Sequence, residues 1–577
     1  MTPCEVSSVS KSKGFRVMPT RLTARATVSF ACAFVCLGVA HAQFGRGGGE
    51  WSTSGGDAHR SSSVATDPKI SKESLSKPGF ALFWKMKLNN EPRQLNGLMP
   101  PTLMDRHIGI HGFRSFGFVT GSADNVYAVD TDLGRIDWQK NFGSKSAPAD
   151  ASLVCPGGMT TGTARSIGTA FPAAAPGGRG GGGGGRGGPA KSGVGEPGEG
   201  AVTIAELAAR AAAAGAGGSP GRGGAAGRGP GGGGGGGGRG PRMAVVVNSL
   251  SSDGMFHTNY VSNGDEPTPS IRFLPGKDAN AQGLIIVDNM AYVATVGVCG
   301  GVPKGMWALD IASKAVTSWK PESGEVAGSA GPAFGGDGTL YVSTTSGDLV
   351  SLEAKTLKVK DVYRAGQELT SSPVIFQHQE KTLLASTTKD GRIHLVDSAA
   401  MGGTAVKTAP YSTASDFVPG ALATWQDAAG TRWILAPAAG PVAADAKFAA
   451  SNGAVTNGAI VAWKVVEQNG AAALEPGWVS RDLVSPLTPL VINGVVFAVS
   501  SGEYRGTDSK MTAAQRAQRS VPAIVYALDG ATGKELWNSG KTVTSFVHGG
   551  GLSGGAGQIY LGTHDGTLYS FGFPIEH

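Results

Sequence analysis

The sequence predicts an all-β protein, an eight-bladed β-propeller of four-stranded blades, on three observations. A strand–turn–strand unit occurs eight times, most clearly as Val525-Tyr526-Ala527-Leu528-Asp529, Gly530-Ala531-Thr532-Gly533-Lys534, Glu535-Leu536-Trp537. Short apolar alternations recur between clusters of Gly, Asp, Asn and Ser, and helical periodicity is nearly absent outside residues 203–214 and 511–519. Where no long insertion intervenes the spacing is steady, 43 residues from Asp310 to Glu353 and 44 from Glu353 to Asp397. A unit that short cannot bury its own apolar face, so its copies must stack on one another.

Taken from the N-terminus, residues 1–42 have the composition of a secretory leader. Arg21 and Arg25 precede an apolar run from Ala26 to Ala40, and Ala40-His41-Ala42 fits a small-x-small cleavage site. The run is shorter than the roughly 20 residues a membrane-spanning helix needs. The propeller is expected over residues 43–577. Phe80-Ala81-Leu82-Phe83-Trp84-Lys85-Met86 reads as a strand far from any repeat of its own. The last repeat, at Tyr560-Leu561-Gly562 and Leu568-Tyr569-Ser570-Phe571, stops without a Trp-bearing strand. The segment around Trp84 is therefore expected to complete the final blade and remove its free edge, or else it is an ordinary first strand of the first blade.

The other copies follow in order. Phe118-Val119-Thr120 leads to Val126-Tyr127-Ala128-Val129-Asp130 and Trp138, and Tyr292-Val293-Ala294 to Met306-Trp307-Ala308-Leu309-Asp310 and Trp319. Leu384-Ala385-Ser386 turns through Asp390-Gly391 into Ile393-His394-Leu395-Val396-Asp397. Asp-Gly or Gly alone supplies the left-handed turn conformations, and alternating apolar residues bury one face of each strand. Residues 172–242 break the pattern. They are dominated by Gly, Ala and Arg, cannot offset their ordering entropy by burial, and are expected to form a disordered loop insertion. With 436–457 and 503–521, this insertion is expected to decorate a propeller face and set specificity.

The formal charge of +7 is unevenly placed. The leader carries five Lys/Arg against one Glu, and 172–242 carries eight against three acidic residues, which leaves the remaining body near −2. That argues against a nucleic-acid-binding domain, which needs a clustered basic surface. Cys155 and Cys299 are the cysteines outside the leader. In an oxidising compartment they form a disulfide, or else they are two buried thiols.

The Tyr-Ala-Leu-Asp-x-x-Thr-Gly-Lys-x-x-Trp sequence at 526–537 resembles the repeat of pyrroloquinoline quinone (PQQ) β-propellers, and Trp51-Ser52-Thr53-Ser54-Gly55-Gly56-Asp57 is similar to their opening segment. Those proteins include quinoprotein alcohol dehydrogenases and the propeller lipoprotein of the outer-membrane assembly machinery. The resemblance covers residues 51–577 apart from the Gly-rich insertion. It implies the fold, and it leaves activity open because enzymes and scaffolds share the repeat. Under the enzymatic reading Lys389, in Lys389-Asp390-Gly391, would polarise a quinone oxygen of PQQ, with calcium as companion ion. Under the plainer reading Lys389 only precedes a hairpin turn.

Other parts of the enzymatic pattern are missing. After the leader no two Cys are adjacent, the turn Thr344-Thr345-Ser346-Gly347 lacks the family's Asn, and Gln367-Glu368-Leu369-Thr370-Ser371-Ser372-Pro373 holds no Asp and no Trp. No haem attachment sequence, phosphate loop or dinucleotide fingerprint occurs. His107 and His111 have no third ligand at metal spacing, so no metal site is expected. Glu503 and Arg505, which open the long insertion of blade 7, either face a ligand or form a local ion pair. The expectation is an exported monomer of the periplasm or exterior without a membrane span, binding a small molecule or an envelope protein. Its alternatives are a PQQ-dependent alcohol or sugar dehydrogenase with a divergent site and an outer-membrane assembly scaffold.

Overall fold

A computed structural model describes residues 51–109, 112–143, 151–167, 245–413, 419–449, 451–468, 470–505 and 511–574. The leader and residues 172–242 lie outside these ranges, as does His111. Eight antiparallel sheets form a ring. Blade 1 comprises Thr102–Gly109, Gly112–Gly121, Asn125–Asp130 and Arg135–Asn141. Blade 2 has Val246–Leu250, Met255–Tyr260 and Ile271–Arg272, and its innermost strand is reduced to a single bridge between Ala164 and Asn248. Blades 3 to 6 start at Asn280, Ala333, Val374 and Ala423, and each has four strands in sequence order. Blade 7 runs through Leu490–Ile492, Val495–Ser500, Ile524–Asp529 and Glu535–Asn538.

Blade 8 closes the ring as the sequence predicts. Leu552–Gly555, Gln558–Gly562 and Thr567–Gly572 are completed by Ala81–Lys87, which pairs antiparallel with the last of them, Trp84 opposite Ser570.

One joint explains the repeated turn-and-Trp sequence. Trp138, on the outer strand of blade 1, donates its indole N–H to Val261 O in the outer turn of blade 2 at 2.8 Å. Trp478 of blade 6 does the same to Gly530 O of blade 7, and Trp84 of blade 8 to Thr131 O of blade 1, both at 2.8 Å. In each case the indole lies on the turn's glycine. A Cβ on Gly134 would stand 2.5 Å from Cγ of Trp84, and one on Gly264 2.6 Å from Trp138. The Gly of the repeat is thus the seat for the preceding blade's Trp. The blade 8–blade 1 junction uses the same bond as the blade 1–blade 2 and blade 6–blade 7 junctions.

Trp51–Val64 lines the inside of the ring. Trp51 O accepts from Leu103 N of blade 1, Ala58 O from Phe334 N of blade 4, His59 O from Ile375 N of blade 5, Ser61 O from Thr424 N of blade 6 and Ser62 O from Val491 N of blade 7. Arg60 is buried and holds this segment. Its Nε donates to Pro332 O at 2.8 Å, Nη2 to Gly283 O at 2.9 Å, and Nη1 to Thr53 Oγ1 at 3.0 Å and to Ser54 O. Four hydrogen bonds of this kind are what a guanidinium removed from water requires.

The two ends of the ring differ. One face, the turn face, carries the short connections between first and second and between third and fourth strands. The other, the loop face, carries the second-to-third and blade-to-blade connections. The long connections 440–457 of blade 6 and 501–523 of blade 7 both leave from the loop face. The insertion leaves after Ser166–Ile167, which pair with Ile286 and Val287, and returns at Val245 beside Val261, both on the turn face. The described ends of the Gly-rich insertion thus lie on the face opposite to the one that the other two long connections leave from.

Candidate functional site

The loop face is built from three distinct groups of side chains. The first lies where blades 7 and 8 meet. Glu503 follows the second strand of blade 7, and Ser501 Oγ bonds to Ser485 O and Ser485 Oγ to Glu503 O, which fixes the backbone there. The Glu503 side chain is 1% exposed. Its Oε2 accepts from Arg505 Nε at 3.1 Å and its Oε1 from His548 Nδ1 at 2.7 Å, and Arg516 Nη1 lies 3.9 Å from the same Oε1. Burial pushes the carboxyl up, but the hydrogen bond and charge of His548 and the charge of Arg505 outweigh it and hold it below its ordinary value. Glu503 is therefore a fixed anion that orients an imidazole.

The sequence brings Glu503 and Arg505 together, and their pair is present. It does not reveal His548, in the next blade-to-blade connection, or Arg516, on the helix Ala513–Arg519. The helical periodicity over 511–519 was the one available signal for Arg516. His548 carries no local signature. Beside it His564 stacks on Phe546 with centroids 4.5 Å apart, and burial followed by the His548 charge lowers its pKa.

The second group is around Lys389, in the turn between the second and third strands of blade 5. Its Nζ pairs with Glu368 Oε2 at 2.8 Å and half of its side chain is exposed. The hydrogen bond that it donates to Glu368 raises the ammonium above its ordinary value. Asp390 next to it accepts from Thr388 Oγ1 and Arg392 Nε. The inner ends of neighbouring blades meet at the axis: Ser329 N of blade 4 and Ser372 N of blade 5 both donate to Gly420 O before blade 6. A quinone needs a flat apolar slot with its oxygens facing fixed cations, and calcium needs six to eight oxygen ligands. The exposure and existing ion pair of Lys389 do not provide such a seat. Among the described residues no three His, Cys, Asp or Glu side chains gather as a cation site. His107 lies tilted against Phe116, with ring centroids 5.8 Å apart.

A third arrangement has the outline of a catalytic triad. Ser251 Oγ is 2.9 Å from His257 Nε2, and His257 Nδ1 is 2.5 Å from Glu266 Oε1. Ser251 is buried and also bonds to Asp253. Blade 5 repeats this at the same spacing with Thr388, Asp390 and His394, where Thr388 Oγ1 lies 3.4 Å from His394 Nε2. The group is a recurring turn brace, because a hydroxyl held by an Asp two residues on is the local device that closes these turns.

The loop face also carries a stapled apolar tip. Cys155, in the connection from blade 1 to blade 2, is bonded to Cys299 of blade 3 with Sγ–Sγ 2.06 Å. Around the bond Leu153, Val154 and Val298 are 40, 59 and 68% exposed. Asn280 Nδ2 donates to Val154 O at 2.8 Å and fixes the tip on its other side.

No protein-family model matches the chain, and no curated protein sequence does. Solved structures resemble it in shape. The quinohemoprotein alcohol dehydrogenase of Comamonas testosteroni is 13% identical with a TM-score of 0.51, over 92% of this chain and 81% of that one. BamB from Moraxella catarrhalis, also 13% identical, covers 86% and 99% with a TM-score of 0.44. A europium-containing methanol dehydrogenase, 11% identical, covers 91% and 98% with a TM-score of 0.46. What this chain shares with the quinohemoprotein dehydrogenase, at that identity, is the propeller fold.

Proposed function

We propose that the protein is an exported binding module of the cell envelope that holds an extended apolar segment of another envelope protein against its loop face. The observation that carries this reading is the tip formed by Leu153, Val154 and Val298. Three exposed apolar side chains around a disulfide form a rigid anchor, and rigid apolar anchors bind at low entropic cost. The ring behind them is closed by Trp84 and lined by Trp51–Val64, so it serves as a stiff mount. Export is supported by the leader-like residues 1–42 and by the bonded Cys155–Cys299 pair. Among the described residues no helix is long and apolar enough to cross a membrane.

The test places a photo-crosslinking residue at Val298 in the exporting cell, with Leu133 as control, which is 60% exposed on the turn face. A discrete adduct from position 298, absent from 133 and abolished by V154D, is the expected result. Equal labelling from both positions would overturn the reading. The dehydrogenase alternative is tested by titrating purified protein with PQQ and calcium and supplying alcohols or sugars with an artificial electron acceptor. Quinone absorbance with dye reduction would establish it in place of the binding module.

A further inference from the structure

The geometry points to a second, independent site on the loop face: an oxyanion-binding site between blades 7 and 8, formed by His548, Arg516 and the backbone of Gly549-Gly550-Gly551. It does not depend on the apolar tip, which lies across the ring by blades 2 and 3.

Four observations lead to it. First, Arg516 and His548 converge on one buried carboxylate oxygen, Glu503 Oε1. Second, Arg516 is under-used. Its contact with Glu503 is a 3.9 Å approach, beyond hydrogen-bond length, and its Nε is buried without an acceptor. A guanidinium offers five donors in a planar fork, and leaving one of them buried and unmade is costly unless a ligand completes it. Third, His548 is held from one side. Glu503 takes Nδ1, which leaves Nε2 directed away from the carboxylate on a side chain 36% exposed. Both His548 and Arg516 approach Glu503 Oε1, so the two heads flank a single point.

Fourth, the chain after His548 is three consecutive glycines. Gly549, Gly550 and Gly551 have φ of 62°, 65° and 119°, and none of their three amides has an acceptor among the described residues. Backbone amides without a partner are donors that a negative oxygen can complete. Only glycine adopts three such values in a row without strain. Glu503 is not a competing ligand here, because it neutralises Arg505 and fixes the imidazole.

The ligand chemistry is a carboxylate or a phosphate, free or carried by a larger molecule. Binding of inorganic phosphate and of succinate to the purified full chain is measured by titration calorimetry. The wild type binds at least one of them. R516Q and H548N each weaken binding tenfold or more, the loss of one charge-assisted hydrogen bond, while R106Q, the same charge change on an exposed turn-face residue, leaves it unchanged. Phosphate alone assigns a tetrahedral anion and succinate alone a carboxylate. Both outcomes support the site. R516K preserves charge and stem, so it tests the fork if R516Q fails to fold, and it weakens binding at least threefold. Silence of both anions, equal weakening by R106Q, or wild-type affinity in R516K would overturn the proposal.

Discussion

Gly134→Ala should loosen the ring at its closure, and its cost can be separated into parts. At φ 60° an alanine carries a left-handed penalty of about 1 kcal/mol. The new Cβ would stand 2.5 Å from Trp84 Cγ, so the indole must leave the turn. That breaks the 2.8 Å bond from Trp84 Nε1 to Thr131 O, worth about 1 kcal/mol. It also uncovers part of the indole. If about 80 Å² of apolar surface returns to water, a further loss of about 2 kcal/mol follows. The expected total is about 4 kcal/mol. Gly338→Ala is the matched control, because Gly338 has φ 75° and nothing within 4 Å of its virtual Cβ, so it carries the backbone penalty alone, about 1 kcal/mol. Equilibrium urea unfolding of both variants should differ by about 3 kcal/mol, and hydrogen exchange over Ala81–Lys87 should rise only in Gly134→Ala. Equal destabilisation by the two alanines would refute the view that the repeat's glycine exists to seat the neighbouring Trp.

Three other perturbations follow from the same structure. Cys155 and Cys299 enclose 144 residues, so reduction or the double Ser variant should lower stability by about 5 kcal/mol in the chain-entropy model, read as a shifted urea midpoint; an unchanged midpoint would exclude a stabilising role. His394 is buried, with Nδ1 2.9 Å from Tyr363 Oη, and burial, then Lys407, lowers its pKa to about 4. The unfolded chain then takes up the proton first as pH falls through about 6.5, so stability present at pH 7 is lost towards pH 4, by about 3 kcal/mol, and H394Q should flatten that slope in pH-dependent melts. Arg60→Met leaves the carbonyls of Gly283 and Pro332 without their donor inside the ring and should cost about 3 kcal/mol or more in thermal unfolding; a loss under about 1 kcal/mol would mean the inner segment does not brace the blades.

The ring was legible because its rules are local. Asp-Gly turns, alternating apolar strands and a terminal Trp each carry their reason within about a dozen residues, and Trp84 was identified by counting: the last repeat lacked one strand and the N-terminal region had one in excess. The inner course of Trp51–Val64 was not legible, since Ala58, His59, Ser61 and Ser62 are held through backbone carbonyls that any side chain would present. The first strand of blade 2 escaped for a related reason, being one bridge at Ala164 just before the long insertion. At the site, Glu503 and Arg505 were found because they are two residues apart. His548 lies 45 residues further on, in a connection whose position only the closed ring determines.

These differences indicate where specificity resides. The three Trp joints tolerate little change, because the seat beneath Trp84, Trp138 and Trp478 accepts no Cβ and its carbonyl faces an indole. Variation is therefore confined to connections that make no joint. On the loop face of blades 4, 5 and 8 those connections are tight turns braced by Thr344, Thr388 and Thr563. In blade 7 the corresponding connection is replaced by residues 501–523, which bring Glu503 and Arg516 to the boundary with blade 8, and in blade 3 it carries Cys299 and Val298. Besides residues 440–457 of blade 6, the repeat gives up its turn in these two places, and there the loop face gains an exposed apolar tip and the cluster of Glu503, Arg516 and His548. Since neither contributes to ring closure, exchanging these two connections for the short turns of blades 4 and 5 should remove partner capture and anion binding while leaving the urea transition within about 1 kcal/mol of the parent once the disulfide contribution is accounted for.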